Sequence, residues 1–269
     1  MNIGIGILGA NGRMGRALIE ACDLDDKLTL KGASVRADSQ WIGMDVGELA
    51  GIGKRNLAVQ GNLDSVKNDI DVVIDFTLPA ALKENLQWCV DNNKAMVIGT
   101  TGLNDELKSL LQESAQSIPI VFAANFSIGV NLMLNLVRQT ARVMGHSADI
   151  EIIETHHRFK KDAPSGTAVA IGEAIADELE RDLGQCAVYG REGDTGERDQ
   201  HTIGFATVRG GDVVGDHTAL FADLGERLEI THKASSRLTF AKGAMSAAKW
   251  LKTRPSGLYS MEHVLGFKS

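Results

Sequence analysis

A short apolar strand that runs through a glycine-spaced turn straight into a helix leaves few folds open. This chain carries one at residues 3–22. The run Ile3–Leu8 is followed by Gly9-Ala10-Asn11-Gly12-Arg13-Met14-Gly15, and Met14–Cys22 then shows helical spacing. Gly9 permits the sharp turn, Gly12 lets backbone approach a pyrophosphate, and Gly15 lets helix and strand pack closely. The helix N-terminus adds unpaired N–H groups and the positive end of its dipole. The spacing is GxxGxxG rather than the commoner GxGxxG, and a plain βα turn looks similar. Its place directly after a strand favours a dinucleotide site.

The pattern continues in kind. Leu28–Val35, Val72–Phe76, Ala95–Ile98 and Ile120–Ala123 read as strands, with helices at Leu82–Asn92 and Glu106–Ser117 between them. Alternation of this type predicts βαβ units and a parallel sheet. After Asn125 the pattern changes. Helices at Val130–Met144 and Thr167–Arg181 flank a strand at Asp149–Thr155. Strands His201–Val208, His217–Ala222 and Glu226–Lys233 follow, then a helix Phe240–Leu251 and a tail. The expectation is an α/β dinucleotide-binding domain over 1–127, completed by 238–269, and an α+β domain over 128–237.

Composition removes several classes. With 28 Lys+Arg against 35 Asp+Glu the net charge is -7, so no global basic field invites nucleic acid. An anionic ligand would need a local cluster of cations. The longest apolar stretch, Ile118–Ala124, falls far short of the roughly 20 residues of a membrane span. No basic-then-apolar leader precedes Ile3, so neither a membrane nor a secreted protein is expected. Cys22, Cys89 and Cys186 are scattered, odd in number and without CxxC spacing. That fits reduced thiols in the cytoplasm rather than a zinc site.

Cofactor choice is read at the end of the second strand, in Ser34-Val35-Arg36-Ala37-Asp38. An acid there would hold a ribose diol, and an arginine would accept a 2′-phosphate. Here Val35 and Arg36 occupy the strand end and Asp38 comes late, so NADPH is at least tolerated. A solvated surface cation is the plain alternative for Arg36. Gly99-Thr100-Thr101-Gly102 and Ala123-Ala124-Asn125-Phe126-Ser127 close two later strands, at the edge where open parallel sheets bind ligands.

The densest chemistry is Glu154-Thr155-His156-His157-Arg158-Phe159-Lys160-Lys161-Asp162-Ala163-Pro164-Ser165-Gly166-Thr167. Five of the six residues 156–161 are or can be cationic. Ser165-Gly166-Thr167 opens a helix, whose N–H groups can cradle an anion. Cations beside such a cradle suit a small dicarboxylate. The histidines can transfer protons near neutral pH, and crowding among cations would make a lysine a better acid. A solvated basic loop before a capped helix is the bland reading. Metal binding through His156 and His157 is disfavoured, because adjacent residues on a strand point apart.

At these residues the chain resembles the 4-hydroxy-tetrahydrodipicolinate reductase (dihydrodipicolinate reductase) family of the diaminopimelate–lysine route. GANGRMG, the VIDFT strand end at Val73–Thr77, GTTG, AANFSIGVN and EIIETHHRFKKDAPSGTA carry the resemblance. TIGFATVRGGDVVGDHTALF and ERLEITHKASSR extend it over nearly the whole chain. It implies a Rossmann-type cofactor domain, a substrate domain whose sheet builds a homotetramer, and NADPH or NADH as reductant. By position, His156 looks like the acid/base histidine and Lys160 the proton donor. His157, Ser165, Gly166, Thr167 and Thr101 look like substrate contacts. Gly9, Ala10, Asn11, Gly12, Arg13 and Met14 look like cofactor contacts, with Arg36, Gly99, Thr100, Thr101, Ala123, Ala124, Asn125 and Phe126. The chain departs from the family pattern at Val35, where well-known members carry an acid. Two rivals share the scaffold, a reductase of another small acid and a silent NADP(H)-binding regulator; the second has no need for His156, Lys160 and the SGT cradle together.

Overall fold

The computed structural model describes residues 2–268, in two compact units, 2–128 with 237–268 and 129–236. In chain order the first comprises β1 (Ile3–Leu8), α1 (Arg13–Asp23), β2 (Leu28–Ser34), the short α2 (Val46–Ala50), β3 (Val72–Asp75) and α3 (Pro79–Asp91). It continues with β4 (Ala95–Ile98), α4 (Asp105–Ser114) and β5 (Pro119–Phe122). The next segment is α5 (Ile128–Met144), β6 (Asp149–His156), α6 (Gly166–Glu178), the single turn α7 (Leu183–Cys186) and the two-residue β7 (Ala187–Val188). β8 (Ile203–Arg209), β9 (Gly215–Asp223) and β10 (Glu226–Ala234) complete it. The chain then supplies α8 (Leu238–Leu251), β11 (Gly257–Tyr259) and α9 (Met261–Val264) to the first unit.

The first unit holds a six-stranded sheet in the order β11-β5-β4-β3-β1-β2, with every pair parallel. Strands buried on both faces read as continuous apolar runs, and β3 and β4 (VVID, AMVI) are wholly buried. One face packs on α1 and α8 through Leu18, Ile19, Ala244 and Ala248; the other packs on α3 and α4 through Leu82, Leu86 and Leu111. Strand order reverses between β1 and β3, the switch point where a crevice opens at the carboxyl ends of such a sheet. The tail is not structureless: Gly257–Tyr259 pairs with Pro119–Val121 and forms the sheet edge.

The second unit is a mixed sheet, β10-β9-β6-β8-β7, with β9 antiparallel to both its neighbours. Its inner face, from Ile150, Ile152, Ile203, Phe205, Ala219 and Phe221, packs on α5 and α6. The opposite face leaves Ile153 and Val208 at 37% and 47% exposure. Alternation along β6 places Ile150, Ile152, Glu154 and His156 on the inner face, two of them polar.

Candidate active site

In the first unit the switch-point crevice is built from three loops. Gly9 takes φ +69, a left-handed conformation suited to glycine, and a Cβ there would meet Thr77 at 2.9 Å. A Cβ on Gly15 would lie 2.2 Å from the Gly9 carbonyl oxygen, so only glycine lets α1 approach the turn this closely. Gly12 caps α1 without any side-chain hydrogen bond, which leaves first-turn N–H groups for a ligand. That cradle fits the pyrophosphate of a dinucleotide. Asp75, fully buried at the end of β3, fastens the neighbouring loops. It accepts from Thr77 N at 2.7 Å, Asn85 Nδ2 at 2.8 Å and Thr100 Oγ1 at 3.4 Å. Phe76 packs on Phe126 with ring centroids 5.2 Å apart, and Gly99 makes room for the Phe76 ring.

Ala10 and Phe126 lie in the core, at 0% and 1% exposure, and Ala10 N donates to Ser34 O. Their side chains have no surface to offer a cofactor, so they shape the loops. Thr100 is likewise buried, while Asn11, Gly12, Arg13, Thr101 and Ala124 are exposed. Val35 is buried beyond β2. Arg36 is solvent-exposed and loosely paired with Asp38 at 3.7 Å.

In the second unit a buried polar network gathers at the end of β6. Glu154 Oε1 accepts from Arg209 Nη2 at 2.9 Å and Ser165 N at 3.1 Å; Oε2 accepts from Arg209 Nη1 at 2.9 Å and bonds His156 Nδ1. Burial alone would raise the Glu154 carboxyl, but hydrogen bonds from Arg209 and His156 outweigh it and hold the group below the usual carboxylate range. Burial pulls the His156 imidazole below its ordinary value in spite of Glu154. His217, beside it with ring centroids 5.1 Å apart, is pulled down to about 4 by burial and by His156. His217 Nε2 bonds Ser165 Oγ at 2.9 Å, and that hydroxyl accepts from Ala168 N to cap α6. Gly166 and Thr167 follow in the first turn of α6; around Gly166 a Cβ would meet nothing within 4 Å.

Lys160 is not an unpaired cation in a crowd of them. Its Nζ donates to Asp162 at 2.7 Å, and this bond is the main reason the Asp162 carboxyl lies low. Arg158 and Lys161 are exposed. His157 sits beside them, its Nδ1 buried without a hydrogen-bond partner among the described residues. Glu154, His156 and His217 bring ligand-type atoms within 4.8 Å of one another. Both Glu154 oxygens are already filled by donors, and Arg209 carries its charge into the cluster. The donor set therefore suits an oriented proton-transfer group better than a metal.

Sequence patterning singled out His156, Lys160 and the SGT turn but passed over Glu154, Arg209, His217 and Asp162 as actors. An acid on the inner face of an alternating strand was the available signal, because a buried carboxylate needs donors.

Comparison with known proteins places the whole chain. A family model described as dihydrodipicolinate reductase, N-terminus, matches residues 3–126, and one described as its C-terminus matches 129–265. The chain is 70% identical to a 4-hydroxy-tetrahydrodipicolinate reductase of Pseudoalteromonas atlantica, over 97% of this chain and 98% of that one. It is 57% identical to one of Hahella chejuensis, over 98% and 99%. A dipicolinate-bound dihydrodipicolinate reductase from Paenisporosarcina sp. TG-14 superposes with a TM-score of 0.77 at 26% identity, covering 97% of this chain and 98% of that one.

Proposed function

The chain belongs to the dihydrodipicolinate reductase family, and on that premise we propose which of its residues bind and turn over substrate. It is an NAD(P)H-dependent oxidoreductase that reduces 4-hydroxy-tetrahydrodipicolinate to tetrahydrodipicolinate with release of water, in the diaminopimelate route to lysine. When bound, the dihydronicotinamide supplies the hydride. The loops Gly9–Met14, Gly99–Thr101 and Ala123–Phe126 hold it, through backbone where their side chains are buried. One substrate carboxylate rests on the α6 N-terminus at Gly166 and Thr167, where the helix dipole favours an anion; Ser165, its own N–H given to Glu154, shapes that turn as the cap. His157 adds a polar contact. Lys160, its ammonium aimed by Asp162, gives up the proton that completes reduction at the adjacent carbon, and His156 acts as acid/base beside it.

The observation that carries this reading is the junction of the cationic segment 156–161 with a capped helix N-terminus at Ser165. A dicarboxylate with both charges met should bind far better than a monocarboxylate, which leaves a desolvated cation unpaired. Pyridine-2,6-dicarboxylate is therefore expected to compete with substrate, and picolinate to compete at least about tenfold more weakly, the worth of one charged hydrogen bond of about 1.5 kcal/mol. Inhibition constants measured side by side decide it; equal values contradict the two-carboxylate site.

Cofactor preference follows from the end of β2. Val35 offers no acceptor to the ribose diol, and no acid there repels a 2′-phosphate. Arg36, in an exposed pair worth little, is free to turn its planar fork to that phosphate. NADPH is expected to be used at least as well as NADH, and Arg36→Ala to lower kcat/KM for NADPH alone. A strong NADH preference untouched by the substitution contradicts this.

Assembly and location extend the same reading. The uncovered face of the second unit's sheet, with Ile153 and Val208 exposed, is where we place a homotetramer contact. No helix among the described residues is long and apolar enough to cross a membrane, and all three cysteines are free thiols. The free thiols support a cytoplasmic enzyme, whose partners are a small dicarboxylate and its own copies.

A further inference from the structure

Glu154 is 1% exposed, on the inner face of β6 two residues from His156. A carboxylate so deep is tolerated only when its acceptor sites are filled. Here they are: two donors from Arg209, one from Ser165 N and one from His156 Nδ1, two to each oxygen. An ionised carboxylate can only accept, so the proton between it and the ring belongs on Nδ1. The other ring nitrogen faces Gly215, where a Cβ would stand 3.0 Å from Nε2. Across the register, His217 on β9 lies opposite Glu154 and donates nothing to it; its Nε2 is occupied by Ser165 Oγ. Arg209 is itself anchored by the Val208 and Asp162 carbonyls at 2.8 and 2.7 Å, so the carboxylate cannot swing away.

We propose that Glu154, clamped by Arg209, is a positioning residue for the reaction: it fixes His156 as the Nδ1–H tautomer and presents Nε2, over Gly215, as the nitrogen that exchanges the proton. Ser165 N bonds the same carboxylate, so the ring is also indexed to the α6 N-terminus where substrate is placed. The inference rests on His156 being the acid/base group. A residue that only stabilises the fold would not set a tautomer.

The test combines spectroscopy with a double-mutant cycle. NMR of the ring nitrogens in protein labelled at histidine, with His156 assigned by its loss in His156→Ala, should show a protonated Nδ1 and an unprotonated Nε2 in the wild type. Glu154→Gln keeps the shape, but its amide can donate to Nδ1 and should invert the tautomer. Its kcat should fall by ~10²-fold or more, with dissociation of pyridine-2,6-dicarboxylate little changed. In the His156→Ala background the same substitution should cost no more than about twofold. Full effects of both substitutions, simply multiplied together, would overturn the proposal, as would an Nε2–H tautomer in the wild type, a measurement that needs no variant to fold. Near-normal turnover of His156→Ala would instead remove the acid/base reading itself, whatever Glu154 does.

Discussion

Lys160→Ala and His156→Ala are each expected to lower kcat by ~10²–10⁴-fold, the usual worth of a positioned proton-transfer group. Affinity for NADPH should stay near that of the wild type, because both residues lie in the second unit and the glycine turn lies in the first. The two variants should fail differently. Losing Lys160 removes an ammonium and strands Asp162, its partner at 2.7 Å, in an exposed position where a free carboxylate is well solvated. Losing His156 opens a space beside His217 and leaves one lone pair of buried Glu154 unfilled. His156→Ala should therefore also melt somewhat earlier. Steady-state kinetics with the natural substrate, together with cofactor titration by fluorescence, reads the split. Near-normal kcat in either variant would strip that residue of its role.

Arg209→Ala should produce the largest loss of stability of any single substitution in the network, ~3–5 kcal/mol at neutral pH, because it leaves Glu154 buried without its cation. The pH dependence has a definite sign. In the wild type the Glu154 carboxyl lies below its unfolded value, so its contribution is present above the unfolded pKa and fades as pH falls through the folded one. Without Arg209, burial dominates and the carboxyl rises above its unfolded value, so the variant loses stability as pH climbs past the usual carboxylate range. The gap between the two proteins should be wide at pH near 7 and narrow toward pH near 4. Urea denaturation at both pH values measures it; a gap independent of pH would show that Arg209 matters for packing and not for charge.

Much of this architecture was legible because its signals are local. β1, the glycine turn and α1 follow one another within 23 residues, and each βα step repeats the logic. Bounds moved by a few residues at most helix and strand ends, as with α3, which begins at Pro79 because proline suits a first helical turn. The strand Gly257–Tyr259 was hidden in the tail: three residues carry no period, and the partner, β5, lies over a hundred residues earlier. The candidate site divides in the same way. His156, Lys160 and Ser165 stand together in sequence. Glu154 acquires meaning only through Arg209, 55 residues on, and His217 reaches Ser165 across 52; both depend on strand register. Ala10 and Phe126 show the converse, since position in a loop at the sheet's carboxyl edge does not say whether a side chain faces the crevice or the core.

Turnover is the most direct test of the assigned activity. Purified protein, given freshly generated 4-hydroxy-tetrahydrodipicolinate, should consume NADPH and NADH in an absorbance assay, at rates that depend on substrate and are suppressed by pyridine-2,6-dicarboxylate. No substrate-dependent loss of nicotinamide absorbance with either cofactor, or consumption only with a different small acid, would contradict it.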